Sequence, residues 1–212
     1  MSEPVSRFPG ERTLAPSDAS ASTAPARPAA AGNAGAPVPD KAEVPAVQSI
    51  ERLGLGTAFV PLIEKVLRES ALLSQFTTEE LQRFAGFLQV YRVATGVPFI
   101  VEGDPGDFMV LVLEGYVEVF KKGPETGRSL VGVAAPGKTL GEMSLVDGEP
   151  RFATCIAATP VTFAALPRRG LERIMKDHPH LGQKILLQLV LLLNQRLRDV
   201  SAQLLQVWQQ QA

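Results

Sequence analysis

The 212-residue sequence predicts a mainly β domain, an antiparallel sandwich or barrel, flanked by an N-terminal helical segment and a long C-terminal helix. Two changes of pattern support this prediction. From about Val90, apolar residues stop recurring at helical spacing and form short Val-, Ile- and Phe-rich runs between Gly and Pro turns. After Pro167, helical spacing returns and continues to the C-terminus. Closely spaced strands without intervening helices are typical of antiparallel β folds.

Residues 1–50 form a tail of different composition. Eight of the 17 prolines lie there, with many Ala, Ser and Gly residues and no apolar periodicity. Such a segment buries too little surface to offset the entropy that ordering costs, so we expect this Ala/Pro-rich tail to be disordered. Both a passive extension and a docking tether are compatible with its composition.

The overall composition argues against several classes of function. A net charge of −1 gives no general attraction for nucleic acid or for an anionic membrane. The single cysteine, Cys155, cannot form an internal disulfide, which favours a reducing cytoplasmic location. The sequence has no signal-peptide pattern and no stretch of about 18 consecutive apolar residues that could span a membrane. We therefore expect a cytoplasmic protein without a membrane or nucleic-acid partner.

The segment 51–89 is predicted to be helical. After Leu53, apolar residues recur at helical spacing at Phe59, Leu62, Ile63, Val66 and Leu67. A second helix is predicted from the capping-box pattern Thr77-Thr78-Glu79-Glu80, in which a Thr hydroxyl and a Glu three residues later bind free N–H groups. The apolar face of that helix consists of Leu81, Phe84 and Leu88.

The segment 90–168 is predicted to form the β domain. Its apolar runs are bounded by Gly and Pro turns, which is the pattern of short strands. The predicted strands span residues 97–101, 108–113, 116–121, 129–133, 152–158 and 161–166.

The segment between the fourth and fifth predicted strands contains the residues best suited to bind a ligand. Residues 140–154 read LGEMSLVDGEPRFAT. Gly141 permits close backbone approach, and residues 142–145 can form a helical turn whose free N–H groups point at an anion. Arg151 has a planar donor fork that suits a phosphate, whereas ionised Glu142 only accepts hydrogen bonds and suits a sugar hydroxyl. One arginine with backbone amides matches a singly charged phosphodiester better than a polyphosphate.

This stretch resembles the phosphate-binding cassette of cyclic-nucleotide-binding domains, which occur in kinase A regulatory subunits, catabolite activator protein and bacterial cyclic-nucleotide-gated channels. The family pattern is matched by Gly141, Glu142, Ser144, Leu145, Pro150, Arg151, Ala153 and Thr154. A second family signature is matched by Gly103, Asp104, Gly106, Asp107, Glu114 and Gly115. The resemblance covers residues 72–200. It implies an antiparallel jelly-roll β-barrel that binds a cyclic mononucleotide.

The resemblance also implies roles for individual residues. Glu142 would bind the ribose 2′-hydroxyl, Arg151 would pair with the cyclic phosphate, and backbone amides near Ser144, Leu145 and Phe152 would complete the phosphate cradle. An alternative is that Glu142 and Arg151 form a mutual salt bridge in a pocket that no longer binds. The expected ligand-binding residues are Gly141, Glu142, Met143, Ser144, Leu145, Arg151, Phe152, Ala153 and Arg196.

Phe152 departs from the family pattern, which usually has Ala, Ser or Thr after the arginine. A threonine at this position is associated with guanine selection, because its hydroxyl reaches the base. Phenylalanine has no hydroxyl, so the resemblance implies a preference for cAMP over cGMP. The Phe152 ring would also crowd the pocket if it pointed inward.

The C-terminal segment 169–212 is predicted to be helical, with a hinge and a dimerisation helix. A seam of apolar residues follows the 4-3 spacing of a coiled coil, which favours a homodimer. Its members are Leu186, Val190, Leu193, Leu197, Val200, Leu204 and Val207. A second line faces the barrel in this interpretation and contains Ile185, Leu189, Leu192 and Arg196. The alternative is that a single helix packs both lines on its own domain.

Arg196 has two interpretations: it could stack on the bound base, or it could pair with Asp199 three residues later. By resemblance, catabolite activator protein dimerises through the equivalent helix and continues into a DNA-binding module. Here the sequence ends at Ala212, so we do not expect that module.

The leading functional prediction is a non-enzymatic receptor for a cyclic nucleotide, cAMP or less favourably cGMP, that signals to an unknown protein effector. The alternative is a scaffold or dimerisation protein with a vestigial pocket. A metalloenzyme would need several inward-facing His or carboxylate ligands. Because the only histidines, His178 and His180, lie at a predicted helix junction, we expect no metal and no cofactor.

Overall fold

The computed structural model describes residues 50–69, 76–123 and 127–211. Disorder is predicted for the tail of residues 1–50. Apart from Ile50, these residues lie outside the described part of the chain.

The N-terminal segment contains a strand as well as helices. Strand β1 (Ile50–Leu55) is followed by a 3-10 turn and by helices α1 (Val60–Glu69) and α2 (Thr78–Ala85). The helical prediction for 51–89 is therefore wrong over β1, which pairs antiparallel with strand β2 (Gln89–Val93). A strand stabilised by a partner more than 30 residues away leaves little trace in its local sequence pattern.

The capping box predicted at the start of α2 is confirmed. Thr77 Oγ1 accepts a hydrogen bond from the Glu80 N–H at 3.2 Å, and Glu80 Oε2 accepts one from the Thr77 N–H at 2.9 Å. These reciprocal bonds satisfy two N–H groups that have no partner within the helix.

The described strands form two antiparallel sheets, in agreement with the predicted jelly-roll barrel. One sheet has the order β1-β2-β9-β4-β7 and the other the order β3-β8-β5-β6. The six predicted strands are present within one to two residues of their predicted bounds. The remaining bounds are β3 (Pro98–Ile100), β4 (Phe108–Glu114), β5 (Val117–Lys122), β6 (Arg128–Ala134), β7 (Thr139–Leu140), β8 (Thr154–Ala157) and β9 (Val161–Pro167).

Strand β4 is buried on both faces, which explains why its sequence is an unbroken apolar run. Val110 and Val112 belong to the cluster inside the barrel, which also contains Phe163. Met109 and Leu111 belong to a second cluster, formed between this sheet and the helices. A strand covered on both sides has no polar face, so it shows no alternation.

Two helices follow the barrel: α4 (Arg168–Asp177) and α5 (Pro179–Gln211). Helix α5 has 33 residues, a length of about 50 Å. Its side chains Ile185 and Leu189, the first two residues of the second apolar line, are buried in the helix-side cluster, and Leu186 of the seam packs partly against the same cluster. Lys184 Nζ, on the same helix, forms an ion pair with Glu80 Oε1 of α2 at 2.6 Å.

The predicted seam of α5 is largely exposed in the single chain. Val190 is 53% exposed, Leu197 65% and Val200 61%, and Leu204 is similarly open. The side chain of Val207 lies outside the description. Among the described helices, none combines the length and apolarity that crossing a bilayer requires.

Candidate functional site

The predicted ligand-binding segment begins at a glycine that no other residue could replace without strain. Helix α3 (Glu142–Asp147) starts after Gly141, whose φ is +77°. A Cβ atom added to Gly141 would lie 2.5 Å from Arg151 Nη1 and 3.1 Å from the Phe108 carbonyl oxygen. The left-handed backbone and the close approach both require glycine.

Arg151 is buried at the edge of the barrel. One of its terminal nitrogens is hydrogen-bonded, and the other has no hydrogen-bond partner. Arg151 Nη1 donates to the carbonyl oxygens of Phe108 at 2.7 Å and Gly141 at 3.1 Å. Its guanidinium carbon lies 4.2 Å from the centre of the Phe108 ring. Burial lowers the pKa of Arg151, an effect that the Asp107 carboxylate opposes. Arg151 Nη2 is buried without a hydrogen-bond partner.

Glu142 is 1% exposed and is bound by an arginine of α5. Arg196 Nη1 donates to Glu142 Oε1, and Arg196 Nη2 donates to the carbonyl oxygen of Thr139 at 2.6 Å. Burial raises the pKa of the Glu142 carboxyl, and the positive charge of Arg196 opposes this rise. The second carboxylate oxygen, Glu142 Oε2, has no hydrogen-bond partner.

These contacts differ from both local pairings considered in the sequence analysis. The ion pair of Glu142 is with Arg196 rather than Arg151, so the structure lacks the mutual salt bridge of the vestigial pocket. Arg196 in turn does not pair with Asp199, whose Oδ1 accepts from Gln195 Nε2 at 2.8 Å. Stacking of Arg196 on a bound base stays a prediction.

Three buried side-chain atoms in the described part of the chain have no hydrogen-bond partner: Thr139 Oγ1, Glu142 Oε2 and Arg151 Nη2. All three belong to β7, α3 and the loop that follows α3. An unpaired buried polar group costs about 1–3 kcal/mol, so the region that contains all three is the candidate site. The set offers a cationic donor, an acceptor and a hydroxyl.

Thr139 was not predicted from the sequence. It is 1% exposed, and its carbonyl and hydroxyl lie beside the two residues that form the Glu142–Arg196 ion pair. Its only local signal is a polar side chain immediately before the apolar Leu140, a signal that loops and strand ends share.

Helix α3 divides the remaining predicted residues between the core and the surface. Ser144 and Leu145 are buried, whereas Met143 is 43% exposed. The Leu145 N–H donates to the Gly141 carbonyl oxygen at 3.2 Å, so this amide, expected in the phosphate cradle, is already used inside the helix. The Ser144 carbonyl oxygen accepts from Arg168 Nη2 at 2.6 Å, which joins α3 to α4. Ala153 is half-buried in the following loop.

The Phe152 ring lies against β5 and does not fill the barrel. It is 57% exposed, and Lys121 Nζ lies 4.2 Å from its centre. The same ammonium donates to the Phe152 carbonyl oxygen at 2.7 Å and to Glu102 Oε1 at 2.9 Å. The backbone that follows Arg151 is therefore fastened to β5.

A separate cleft of about 420 Å³ lies between the start of α2 and the α4–α5 junction, and it contains His178 and His180. Its carboxylates Glu79 and Glu80 already form ion pairs. Because the three unpaired buried atoms lie elsewhere, at β7 and α3, we place the candidate site there. In the described residues, no cluster of three or more His, Cys, Asp or Glu side chains could hold a metal ion.

Comparison with known proteins identifies relatives for this region. Residues 91–178 match the family model of the cyclic nucleotide-binding domain. The chain is 35% identical over 114 residues to the cAMP-dependent protein kinase regulatory subunit of Aspergillus niger. That match covers 54% of this chain, which spans only 27% of the length of the fungal protein.

Solved structures show the same fold. The crystal structure of a cyclic nucleotide-binding domain from Methylobacillus flagellatus KT superposes with a TM-score of 0.69 and 33% identity, covering 74% of this chain and 88% of that one. The catabolite activator protein of Thermus thermophilus superposes with a TM-score of 0.58 and 27% identity, covering 64% and 62%. On this identity, coverage and fold, the chain belongs to the cyclic nucleotide-binding domain family.

Proposed function

We propose that this protein is a cAMP-binding regulatory protein that reports the bound state to a partner through α5. The observation that carries the proposal is the set of unpaired buried atoms at β7, α3 and Arg151. A cyclic phosphate accepts from Arg151 Nη2, and a ribose 2′-hydroxyl donates to Glu142 Oε2. The ligand thereby satisfies two of the groups that the free protein leaves without a partner.

Signalling through α5 is supported by the contact between Arg196 and the candidate sugar-binding residue. Arg196 holds Glu142 Oε1 and the Thr139 carbonyl, and both lie in the segment that the nucleotide would touch. A ligand that donates to Glu142 Oε2 binds the same carboxylate that Arg196 holds through Oε1. The position of α5 is then coupled to binding, because the two events share one carboxylate.

The preference for cAMP over cGMP belongs to the same proposal. The fungal relative is the regulatory subunit of a cAMP-dependent protein kinase. Phe152 has no hydroxyl with which to bind a guanine base, and its ring is held by Lys121 rather than by the barrel interior. The protein has a regulatory role without catalysis, and its effector is a protein. The cytoplasmic location expected from the single cysteine stays a prediction.

A homodimer through the exposed seam of α5 completes the proposal. Four of the seam side chains, Val190, Leu197, Val200 and Leu204, are between 48% and 65% exposed. Two such helices bury these side chains against each other when they pair.

Thermal unfolding and calorimetric titration with cAMP and cGMP test the proposed function. A ligand at 100 times its Kd that binds only the folded state stabilises it by about 2.7 kcal/mol. We expect cAMP to raise the Tm by several degrees and cGMP to raise it less. The linear nucleotide 5′-AMP is the matched control, because its phosphate carries a second charge that a single arginine does not neutralise.

A second candidate, a scaffold with a vestigial pocket, is favoured by the Arg196–Glu142 ion pair itself. This pair already neutralises the buried carboxylate without any ligand. Absence of a Tm shift and of binding heat at millimolar cAMP and cGMP would support the scaffold and reject the receptor.

A further inference from the structure

Thr139 is a buried threonine on the face of β7 that is turned towards the helices. It pairs with Leu111 of β4, which belongs to the helix-side cluster. Its neighbour Leu140 belongs to the cluster inside the barrel. Because side chains alternate along a strand, Thr139 projects towards α5 and not into the barrel core. Arg196 confirms this proximity, since its Nη2 binds the Thr139 carbonyl at 2.6 Å.

The hydroxyl of Thr139 has no hydrogen bond although the residue is 1% exposed. It lies close enough to the Glu142 carboxylate to favour the charged form of that group, but their geometry does not make a hydrogen bond. The other unpaired oxygen of this cluster is Glu142 Oε2. The site therefore offers a pure acceptor beside a group that can both donate and accept.

An alcohol is the ligand group that satisfies both oxygens together. Its proton is donated to a carboxylate, and its lone pairs accept from a second hydroxyl. A carbonyl has no proton to donate and would leave the Glu142 carboxylate without a partner. The arrangement thus favours a ligand group that has a proton to donate next to Glu142, and the ribose 2′-hydroxyl of a nucleotide is such a group.

We infer that Thr139 is a ligand-binding residue. Its hydroxyl donates a hydrogen bond to the sugar hydroxyl of the ligand, and that sugar hydroxyl in turn donates to Glu142 Oε2. This inference rests on the proposed nucleotide binding and adds a residue to it. In the free protein, the same hydroxyl is a buried unpaired group, which stabilises nothing. Thr139 therefore serves binding at the expense of the unliganded fold.

The test pairs the protein hydroxyl with the ligand hydroxyl. The full chain and its variants Thr139→Val and Thr139→Ser are titrated with cAMP and with 2′-deoxy-cAMP. We expect Thr139→Val to weaken cAMP binding about fivefold, the loss of one neutral hydrogen bond, and to leave binding of the deoxy analogue unchanged. Thr139→Ser should retain the cAMP affinity. The Tm of unliganded Thr139→Val should equal or exceed that of the wild type.

A matched control is Thr162→Val on β9. Thr162 is also buried, but its hydroxyl already donates to Glu114 Oε2 at 2.9 Å. This variant should lose stability and keep its affinity, the reverse of the pattern for Thr139.

The outcomes separate the two proposals. Equal weakening of cAMP and 2′-deoxy-cAMP by Thr139→Val, or no weakening at all, would overturn the role of Thr139 and leave nucleotide binding intact. A wild-type chain that binds neither nucleotide would overturn the proposed function and this inference with it.

Discussion

The two terminal nitrogens of Arg151 differ in their hydrogen bonding. Nη1 is fixed by the Phe108 and Gly141 carbonyls, which set the plane of the guanidinium. Nη2 is left unpaired in a buried position. A donor that is held in place before binding loses little freedom when an anion arrives, so this geometry favours affinity.

Two substitutions of Arg151 test whether it is the phosphate partner. Arg151→Ala should weaken cAMP binding by about 10- to 150-fold, because it removes a charged hydrogen bond of about 1.5–3 kcal/mol. Arg151→Lys should weaken it less, since lysine keeps the charge but lacks the planar fork. Titration calorimetry gives the affinities, and the Tm shows how much stability is lost with the carbonyl contacts. Arg92→Ala, an exposed arginine on β2, is the control. Unchanged affinity in Arg151→Ala would exclude Arg151 as the phosphate partner.

At this scale, the sequence indicated which residues lie together in the candidate site better than it indicated which side chains they contact. Glu142, Arg151 and Gly141 lie in a contiguous pattern, so their proximity could be inferred. The partner of Glu142 could not, because Arg196 is 54 residues away and only the sheet and α5 together bring it there. Thr139 was missed for the same reason, since its burial depends on strands that a short segment does not reveal.

Between the elements, the N-terminal helices are tied to α5 through Glu80. This carboxylate closes the α2 capping box and also pairs with Lys184 of α5. The hydrogen bond from Lys184 is the largest of several effects that lower the pKa of Glu80 below 4.5. One side chain thus joins the beginning of a short helix to the helix proposed to carry the signal.

The lowered pKa of Glu80 determines how the stability contributed by the Glu80–Lys184 ion pair depends on pH. A carboxyl with a depressed folded pKa contributes stability fully above its unfolded pKa and loses it as the pH falls through the folded value. Glu80→Ala should therefore lower the free energy of unfolding by about 1 kcal/mol at neutral pH, and the difference from wild type should narrow below pH 4.5. Urea unfolding at several pH values measures this difference in the free energy of unfolding between Glu80→Ala and the wild type.

Glu79→Ala is the control for this experiment, because Glu79 is exposed and, within the part of the chain that the structure describes, its ion pair is with Arg83 of its own helix. It should change the unfolding free energy little at any of these pH values. A constant difference for Glu80→Ala down to about pH 3 would show that the ion pair does not contribute.

Some elements could be predicted locally and others could not. The α2 capping box needs only four consecutive residues, and its prediction is confirmed. Strand β1 depends on β2, and the two-residue β7 is too short to show alternation. The barrel strands were visible because each is bounded by turns and is rich in β-branched residues.

For the whole molecule, the exposed seam of α5 is the surface on which assembly depends. Residues on this seam combine the heptad spacing of a coiled coil with exposure in the single chain, as Leu197 illustrates at 65%. Neither the spacing nor the exposure identifies the second helix, so the homodimer stays a prediction.

Leu197→Glu should convert a dimer into a monomer while the barrel stays folded. The two introduced carboxylates would be buried next to each other across the symmetry axis, which costs several kcal/mol. Light scattering gives the mass, and calorimetry shows whether cAMP affinity changes modestly through Arg196. Ala202→Glu, exposed on the same helix but off the seam, should remain dimeric. A wild-type chain that is monomeric at tens of micromolar would reject the dimer.

Cys155 is the only cysteine of the chain, and its environment makes it a natural reporter of motion. It lies on β8 between Ile100 and Val119 of the neighbouring strands. Burial raises the pKa of its thiol to about 12, so the reactive thiolate is nearly absent while the sheet is closed. Alkylation of this thiol consequently proceeds only through molecules in which β8 has separated from its neighbours. The labelling rate then gives the free energy of that local opening, four residues from Arg151, without any introduced label.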